Sequence, residues 1–157
     1  MATNNLSNYK SENIPESHGM KFAIIVSEWN AHITENLYNG AQETLIKFGV
    51  KKENIIKISV PGSFELIFGA KIAAKEDYNA IICLGSIIKG ETDHFQYVCN
   101  AVAQGIKDLN VKTNTPVIFG VLTDNNEQQS KDRSGGKYGN KGIEAAVTAI
   151  KMAHLNK

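Results

Sequence analysis

Residues 80–97 read AIICLGSIIKGETDHFQY, and the reading of this stretch decides the fold. An apolar run over 80–84 stops at Gly85-Ser86. A polar loop then carries Lys89, Gly90, Glu91, Thr92 and Asp93, and a helical pattern opens with His94 in its first turn. A buried strand that empties into a polar loop at a helix N-terminus is where open α/β proteins hold ligands. The unpaired N–H groups and the positive end of the helix dipole both face that loop.

The same alternation recurs on either side. Residues 21–27 (KFAIIVS), 54–60 (NIIKISV) and 117–122 (VIFGVL) are short apolar runs rich in β-branched residues, and 78–84 is another. Such runs are typical of buried parallel strands. Between them, Ile33, Leu37, Ala41, Leu45 and Phe48 recur at spacings near four up to Gly49, which predicts an amphipathic helix. Ser63 reads as the N-cap of a helix over 64–75. Phe95, Val98, Val102 and Ile106 line a helix over 94–109, and Ile143, Ala146, Val147 and Ile150 line a last helix over about 140–155. The order β-α-β-α-β-α-β-loop-α predicts an α/β fold, a three-layer α/β/α sandwich around a four-stranded parallel sheet. Residues 1–19 are polar and read as an extended or disordered arm, leaving 20–157 as a single domain. Within 123–142 (TDNNEQQSKDRSGGKYGNKG) a short helix near 126–132, stopped by Gly135-Gly136, is expected. The remainder carries Arg133, Lys137 and Lys141, a composition suited to an anion.

Composition narrows the function. A net charge of +1 over 157 residues argues against nucleic acid or an anionic membrane as partner. No apolar run is long enough to span a bilayer, and the start MATNNLSNYK lacks the apolar core of a signal peptide, so a cytoplasmic location is expected. Cys83 and Cys99 match no metal spacing and read as reduced structural thiols. His18, His32, His94 and His154 share no ligand spacing, and there is no GxGxxG or Walker loop, so no metal or cofactor is expected. Of the 17 basic residues only Arg133 is an arginine, which suggests a place for planar bidentate geometry, unless it is simply exposed without a task.

In a parallel sheet the loops after every strand lie on one edge, so Trp29, Glu65, Lys89, Thr92 and His94 are expected to converge. Each also has a plainer role open to it. Trp29, the only tryptophan, either fills core or stacks on a planar ring. For Glu65 the plainer role is to favour the helix dipole, and for Lys89 to stand in solvent. For His94, the helix N-terminus disfavours the imidazolium form and so favours a neutral base, with simple hydrogen bonding as the alternative. His18 is expected to be solvated, and His32 to cap a helix or be solvated.

These residues resemble a known family, the 6,7-dimethyl-8-ribityllumazine synthases, over about residues 20–155. The matching motifs are SEWN (27–30), VPGSFE (60–65), GSIIKGETDHFQYV (85–98), FGVLT (119–123) and EQQSKDRSGGKYGNKG (127–142). The resemblance implies a flavodoxin-like fold and the penultimate step of riboflavin biosynthesis. In that step 5-amino-6-(D-ribitylamino)uracil condenses with 3,4-dihydroxy-2-butanone 4-phosphate, phosphate leaves and the ring closes. By motif position, Trp29 would stack on the pyrimidine, and Ser63, Phe64 and Glu65 would meet the ribityl chain and ring edge. Ser86, Ile87 and Ile88 would line the pocket. Glu91 and Thr92 would hold the butanone phosphate with Arg133 clamping it, His94 would transfer protons, and Lys141 would lie close by. Phe119 and Arg133 would come from a neighbouring subunit of a homopentamer. A sixty-subunit shell is the larger assembly that the family implies, and riboflavin synthase the partner protein. The chain departs from the family's usual pattern at Trp29, Lys89, Asn125-Asn126 and Gln128-Gln129-Ser130. Two other readings remain beside this one: a non-catalytic flavin- or lumazine-binding shell protein, and a monomeric flavodoxin-like regulatory module.

Overall fold

The computed structural model describes Asn5 and residues 7–155. Residues 1–4, 6, 156 and 157 lie outside the described residues, and with them part of the arm expected over 1–19. The elements run β1 (Phe22–Ser27), α1 (Ala31–Lys47), β2 (Ile55–Val60), α2 (Leu66–Ala73), β3 (Ala80–Ile88), α3 (His94–Lys112) and β4 (Val117–Asp124). They continue with α4 (Glu127–Arg133), β5 (Ser134–Gly136), β6 (Gly139–Asn140) and α5 (Lys141–Leu155). The four main strands are parallel and ordered β2-β1-β3-β4. This is the α/β sandwich expected. Among the described residues no helix is long and apolar enough to cross a membrane.

Alternate strand residues feed two separate cores, as the period of two along a strand requires. Phe22, Ile24, Val26, Ile82 and Leu84 pack against α1 and α5. Ala23, Ile25, Ile81, Cys83 and Val121 pack against α2 and α3. Each fully buried Ile or Leu contributes about 1.5–3 kcal/mol of apolar burial, so the sheet residues dominate what holds the layers together. Burial pushes the Cys83 thiol up to about 12, which keeps it protonated and unreactive.

Three local expectations change. The third strand does not stop at Gly85-Ser86. It runs on to Ile88 because β4 is long enough to pair with it, matching Gly85 with Val121 and Ile88 with Asp124. Ser63 does not cap α2, which begins three residues later. It is buried instead, with its hydroxyl lying where a Cβ on Gly85 would fall, so that glycine makes the approach possible. The stretch after β4 is more ordered than its composition suggested. Asn126 caps α4 by accepting from the Gln129 N–H at 3.0 Å, and β5 and β6 form a small antiparallel hairpin. Gly135 and Gly139 adopt the left-handed backbone that lets this hairpin turn back on itself. In the N-terminal segment Ile14 and Ser17 are buried, and Ser7 Oγ accepts from the Asn140 N–H at 2.9 Å.

Candidate active site

The chain order β1, β2, then β3 on the other side of β1, makes the gap between β1 and β3 the point where the sheet reverses its winding. Loops that leave on either side of such a point diverge and open a crevice. Here they are the Trp29 turn after β1 and residues 89–93 after β3.

The Trp29 turn is built rigidly. Glu28 N–H donates to Val60 O at 2.8 Å and Trp29 N–H to Pro61 O at 3.1 Å, so the turn is pinned to the end of β2. Asn30 takes a left-handed backbone at φ 58°, a conformation that Asn tolerates better than most residues. Its side-chain amide donates to Ser86 O at 3.0 Å, which ties the two sides of the crevice together. With its backbone so fixed, the Trp29 indole is 72% exposed, poised above the edge rather than filling core. Gly62 leaves space that Glu65 and Trp29 share: a Cβ there would lie 2.9 Å from Glu65 Oε2 and 3.4 Å from Trp29 Cδ1. Trp29 and Glu65 are therefore neighbours although 36 positions separate them.

After β3, Lys89 N–H donates to Asp124 O at 2.9 Å and anchors the start of the loop. Among the described residues the backbone N–H groups of Gly90, Glu91, Thr92 and Asp93 have no hydrogen-bond partner. They lead into the N-terminus of α3, where His94 is the first helical residue and is exposed. Free N–H groups at the start of a 19-residue helix suit an anion. Ile87 packs partly into the α2/α3 core and Ile88, on the other face of the strand, is half-buried, and together they end β3 at this edge. Phe64 is exposed in the turn that leads into α2. Ser27 closes β1, and its hydroxyl is buried without a partner among the described residues. Buried hydroxyls are normally paired.

Phe119, Arg133 and Lys141 form a second group, on β4, α4 and α5. Phe119 stands on the side of the edge strand that faces α2 and α3, yet is left 37% exposed. Arg133 lies over the Tyr138 ring at 5.1 Å and 3.9 Å from Asp124 Oδ1. Lys141 pairs with Glu144. Among the described residues no hydrogen bond or ion pair joins this group to Glu91, Thr92 or His94. The loops and strand ends that carry Trp29, Ser63, Phe64, Glu65, Ser86, Ile87, Ile88, Glu91, Thr92 and His94 share one edge of the sheet, and of the second group Arg133 is linked to that edge only indirectly, through Asp124, Ser130 and Ser86.

Two residues that sequence reasoning passed over as site residues matter here, Asn30 and Asp124. Asn30 could have been found, since an Asn in the turn between a strand and a helix is a common left-handed residue. Three histidines also turn out to be paired, among them His18, which stays exposed as expected while its Nδ1 meets Gly49 O at 3.2 Å. His32 Nε2 meets Glu127 Oε1 at 2.9 Å. Lys131 and, secondarily, His32 hold the Glu127 carboxyl below its usual range. His154 Nε2 meets Ser17 Oγ at 3.3 Å.

Comparison with known proteins adds an independent observation. A family model described as 6,7-dimethyl-8-ribityllumazine synthase matches residues 19–157. The chain is 58% identical to the 6,7-dimethyl-8-ribityllumazine synthase of Christiangramia forsetii over 161 aligned residues, covering 100% of this chain and 96% of that protein. It is 58% identical to the protein of the same name from Flavobacterium johnsoniae, covering 100% of this chain and 84% of the relative. With that of Parabacteroides distasonis it is 53% identical, covering 99% and 98%.

Proposed function

Because the chain belongs to the 6,7-dimethyl-8-ribityllumazine synthase family, we propose that it condenses 5-amino-6-(D-ribitylamino)uracil with 3,4-dihydroxy-2-butanone 4-phosphate. The product is 6,7-dimethyl-8-ribityllumazine, the reaction releases phosphate, and it forms the penultimate step of riboflavin biosynthesis. The observation that carries this reading to the site is the crevice between β1 and β3. An exposed indole stands on one side of it, and a loop of unpaired N–H groups ending at His94 on the other.

The chemistry asks little beyond orientation and proton movement. The substrates bring their own amine, ketone and leaving phosphate. Trp29 holds the pyrimidine flat, while Ser63, Phe64, Glu65 and the end of β3 at Ser86, Ile87 and Ile88 receive its ring edge and ribityl chain. The N–H groups at Glu91 and Thr92 take the phosphate. His94, beside them, removes and returns protons during imine formation and ring closure. Arg133 clamps the phosphate and stabilises it as it departs.

Arg133, Phe119 and Lys141 complete the site from a neighbouring copy in a homopentamer. That no hydrogen bond or ion pair joins them to His94 among the described residues supports this. So does the stripe Phe64, Phe68 and Ile72, whose residues at intervals of four are 53%, 65% and 44% exposed along one side of the α2 region. A shell of sixty subunits and an association with riboflavin synthase extend this assembly. The enzyme works in the cytoplasm, where the free thiols of Cys83 and Cys99 stay reduced.

Mixing both substrates with the purified chain tests the reaction. Lumazine fluorescence is expected to appear with one phosphate released per product. A protein that binds lumazine but yields neither signal would be the non-catalytic shell protein instead, and a monomer on sizing would be the regulatory module.

A further inference from the structure

Asp124 ends β4 and is 6% exposed. The family reading gives it no task, yet a buried carboxylate is costly unless it is paired and hydrogen-bonded. Its Oδ2 accepts a hydrogen bond from Ser130 Oγ at 2.9 Å. Ser130 is itself fully buried and in turn accepts from Ser86 Oγ at 3.3 Å. Its Oδ1 faces Arg133 Nη1 at 3.9 Å. That same Nη1 donates to Gln129 O at 3.3 Å, and Tyr138 lies beneath the guanidinium. A short chain of hydroxyls thus runs from β3 to a carboxylate, and the carboxylate faces the only arginine in the protein.

We propose that Asp124 is a positioning residue for Arg133. Its carboxylate, braced through Ser130 against Ser86, holds one edge of the guanidinium so that the opposite edge is presented to a phosphate. This rests on the reading of Arg133 as the phosphate clamp. Guanidinium has five N–H donors in a rigid fork. Asp124 and Gln129 engage Nη1, while Nε and Nη2 have no partner among the described residues, and one face of the plane is covered by Tyr138. The free donors are those that a bidentate contact with two phosphate oxygens needs. An arginine fixed in advance loses less freedom when the ligand arrives. Ser130 has a clear place in this arrangement: its hydroxyl donates to the oxygen that Arg133 does not face, so the carboxylate cannot turn away. Position 130 is also one at which the chain departs from the run common in the resembling family.

A carboxylate near a phosphate site could instead act against it, by repulsion or by competing for the guanidinium. The two roles predict opposite signs. The test measures, on the assembled full chain, the KM of each substrate and the calorimetric binding of inorganic phosphate, for the parent protein and for Asp124→Asn and Ser130→Ala. Asp124→Asn is expected to raise KM for the butanone phosphate about tenfold and weaken phosphate binding by a similar factor, with KM for the pyrimidine and the melting temperature little changed. Ser130→Ala should give the same pattern at about threefold. In an Arg133→Ala background neither substitution should add a further loss, because the two residues act as one unit. An unchanged or lower KM for the butanone phosphate, or an equal loss in the Arg133→Ala background, overturns the proposal. If Asp124→Asn does not fold, Ser130→Ala decides by the same readouts. If the parent protein makes no lumazine, the enzymatic reading fails on its own. The phosphate titration still reads the Asp124 effect, and a parent protein that binds no phosphate removes the proposal.

Discussion

On one side of the sheet, α1 buries seven of its 17 residues and α5 seven of its 15. On the other, α3 buries only three of its 19, and the α2 region leaves Phe64, Phe68 and Ile72 exposed. The first side is finished within the chain. Ile33, Leu37, Leu45 and Ile150 are wholly buried there against Phe22, Ile24 and Leu84. The second side carries the crevice, the indole and His94, and its apolar surface has no cover from the chain itself. Most of the buried core therefore lies on one face of the sheet and most of the uncovered apolar surface on the other, and the two faces should respond differently to mutation.

The sharpest way to break this comparison is to put a charge on the uncovered face. Phe68→Glu is expected to leave a folded chain, with its helical circular dichroism unchanged. Sizing should show a monomer, and lumazine formation should fall to background, because a carboxylate cannot be buried unpaired at an interface. An assembly of unchanged size would show that the α2 stripe is not the contact surface. On the finished face the response inverts. Leu37→Ala removes a wholly buried side chain between α1 and the sheet and should cost about 2–5 kcal/mol in chemical denaturation. Its kcat should stay near that of the parent wherever the chain remains folded. A stability loss below about 1 kcal/mol would mean that this core collapses to refill the space.

Much of this division could be read from the residues. The runs around 22–27 and 80–84 and the four-residue spacing from Ile33 to Phe48 are long periodic signals, and they fix the layers. That the Trp29 turn, Glu65 and the start of α3 at His94 lie along one edge of the sheet followed from parallel topology alone, since all strand ends share an edge. What escaped were features set by partners far away in sequence. Gly85-Ser86 looks like a stop until β4 is known to pair alongside it. Ser63 looks like a cap until Gly85 offers it a berth. The hairpin over 134–140 depends on left-handed glycines that composition alone reads as loop. The Asp124–Ser130–Ser86 chain joins three elements, and no spacing rule announces it.

Within the open face, His94 sharpens the assignment of roles. His94→Ala should lower kcat about 10²-fold, the range of a positioned proton-transfer group, while KM for either substrate moves little. Assembly should be unaffected, since His94 lies outside the Phe64, Phe68 and Ile72 stripe. A loss confined to KM would make His94 a binding group and leave the proton work to another residue.

The smallest effect expected is at Trp29, and it separates the shape of the ring from the identity of the residue. The indole is held by its backbone, through Trp29 N–H to Pro61 O and Glu28 N–H to Val60 O, so a substitution should leave the turn in place. Trp29→Phe keeps a flat apolar surface over the crevice and should change KM for the pyrimidine by about two- to threefold, whereas Trp29→Ala should raise it more than tenfold. Neither should alter KM for the butanone phosphate, which lies toward the other side of the crevice. As the only tryptophan in the chain, Trp29 also reports directly. Titrating the pyrimidine alone should quench its emission, and titrating inorganic phosphate should not. Equal quenching by both ligands would place the indole between the two substrates rather than over one of them.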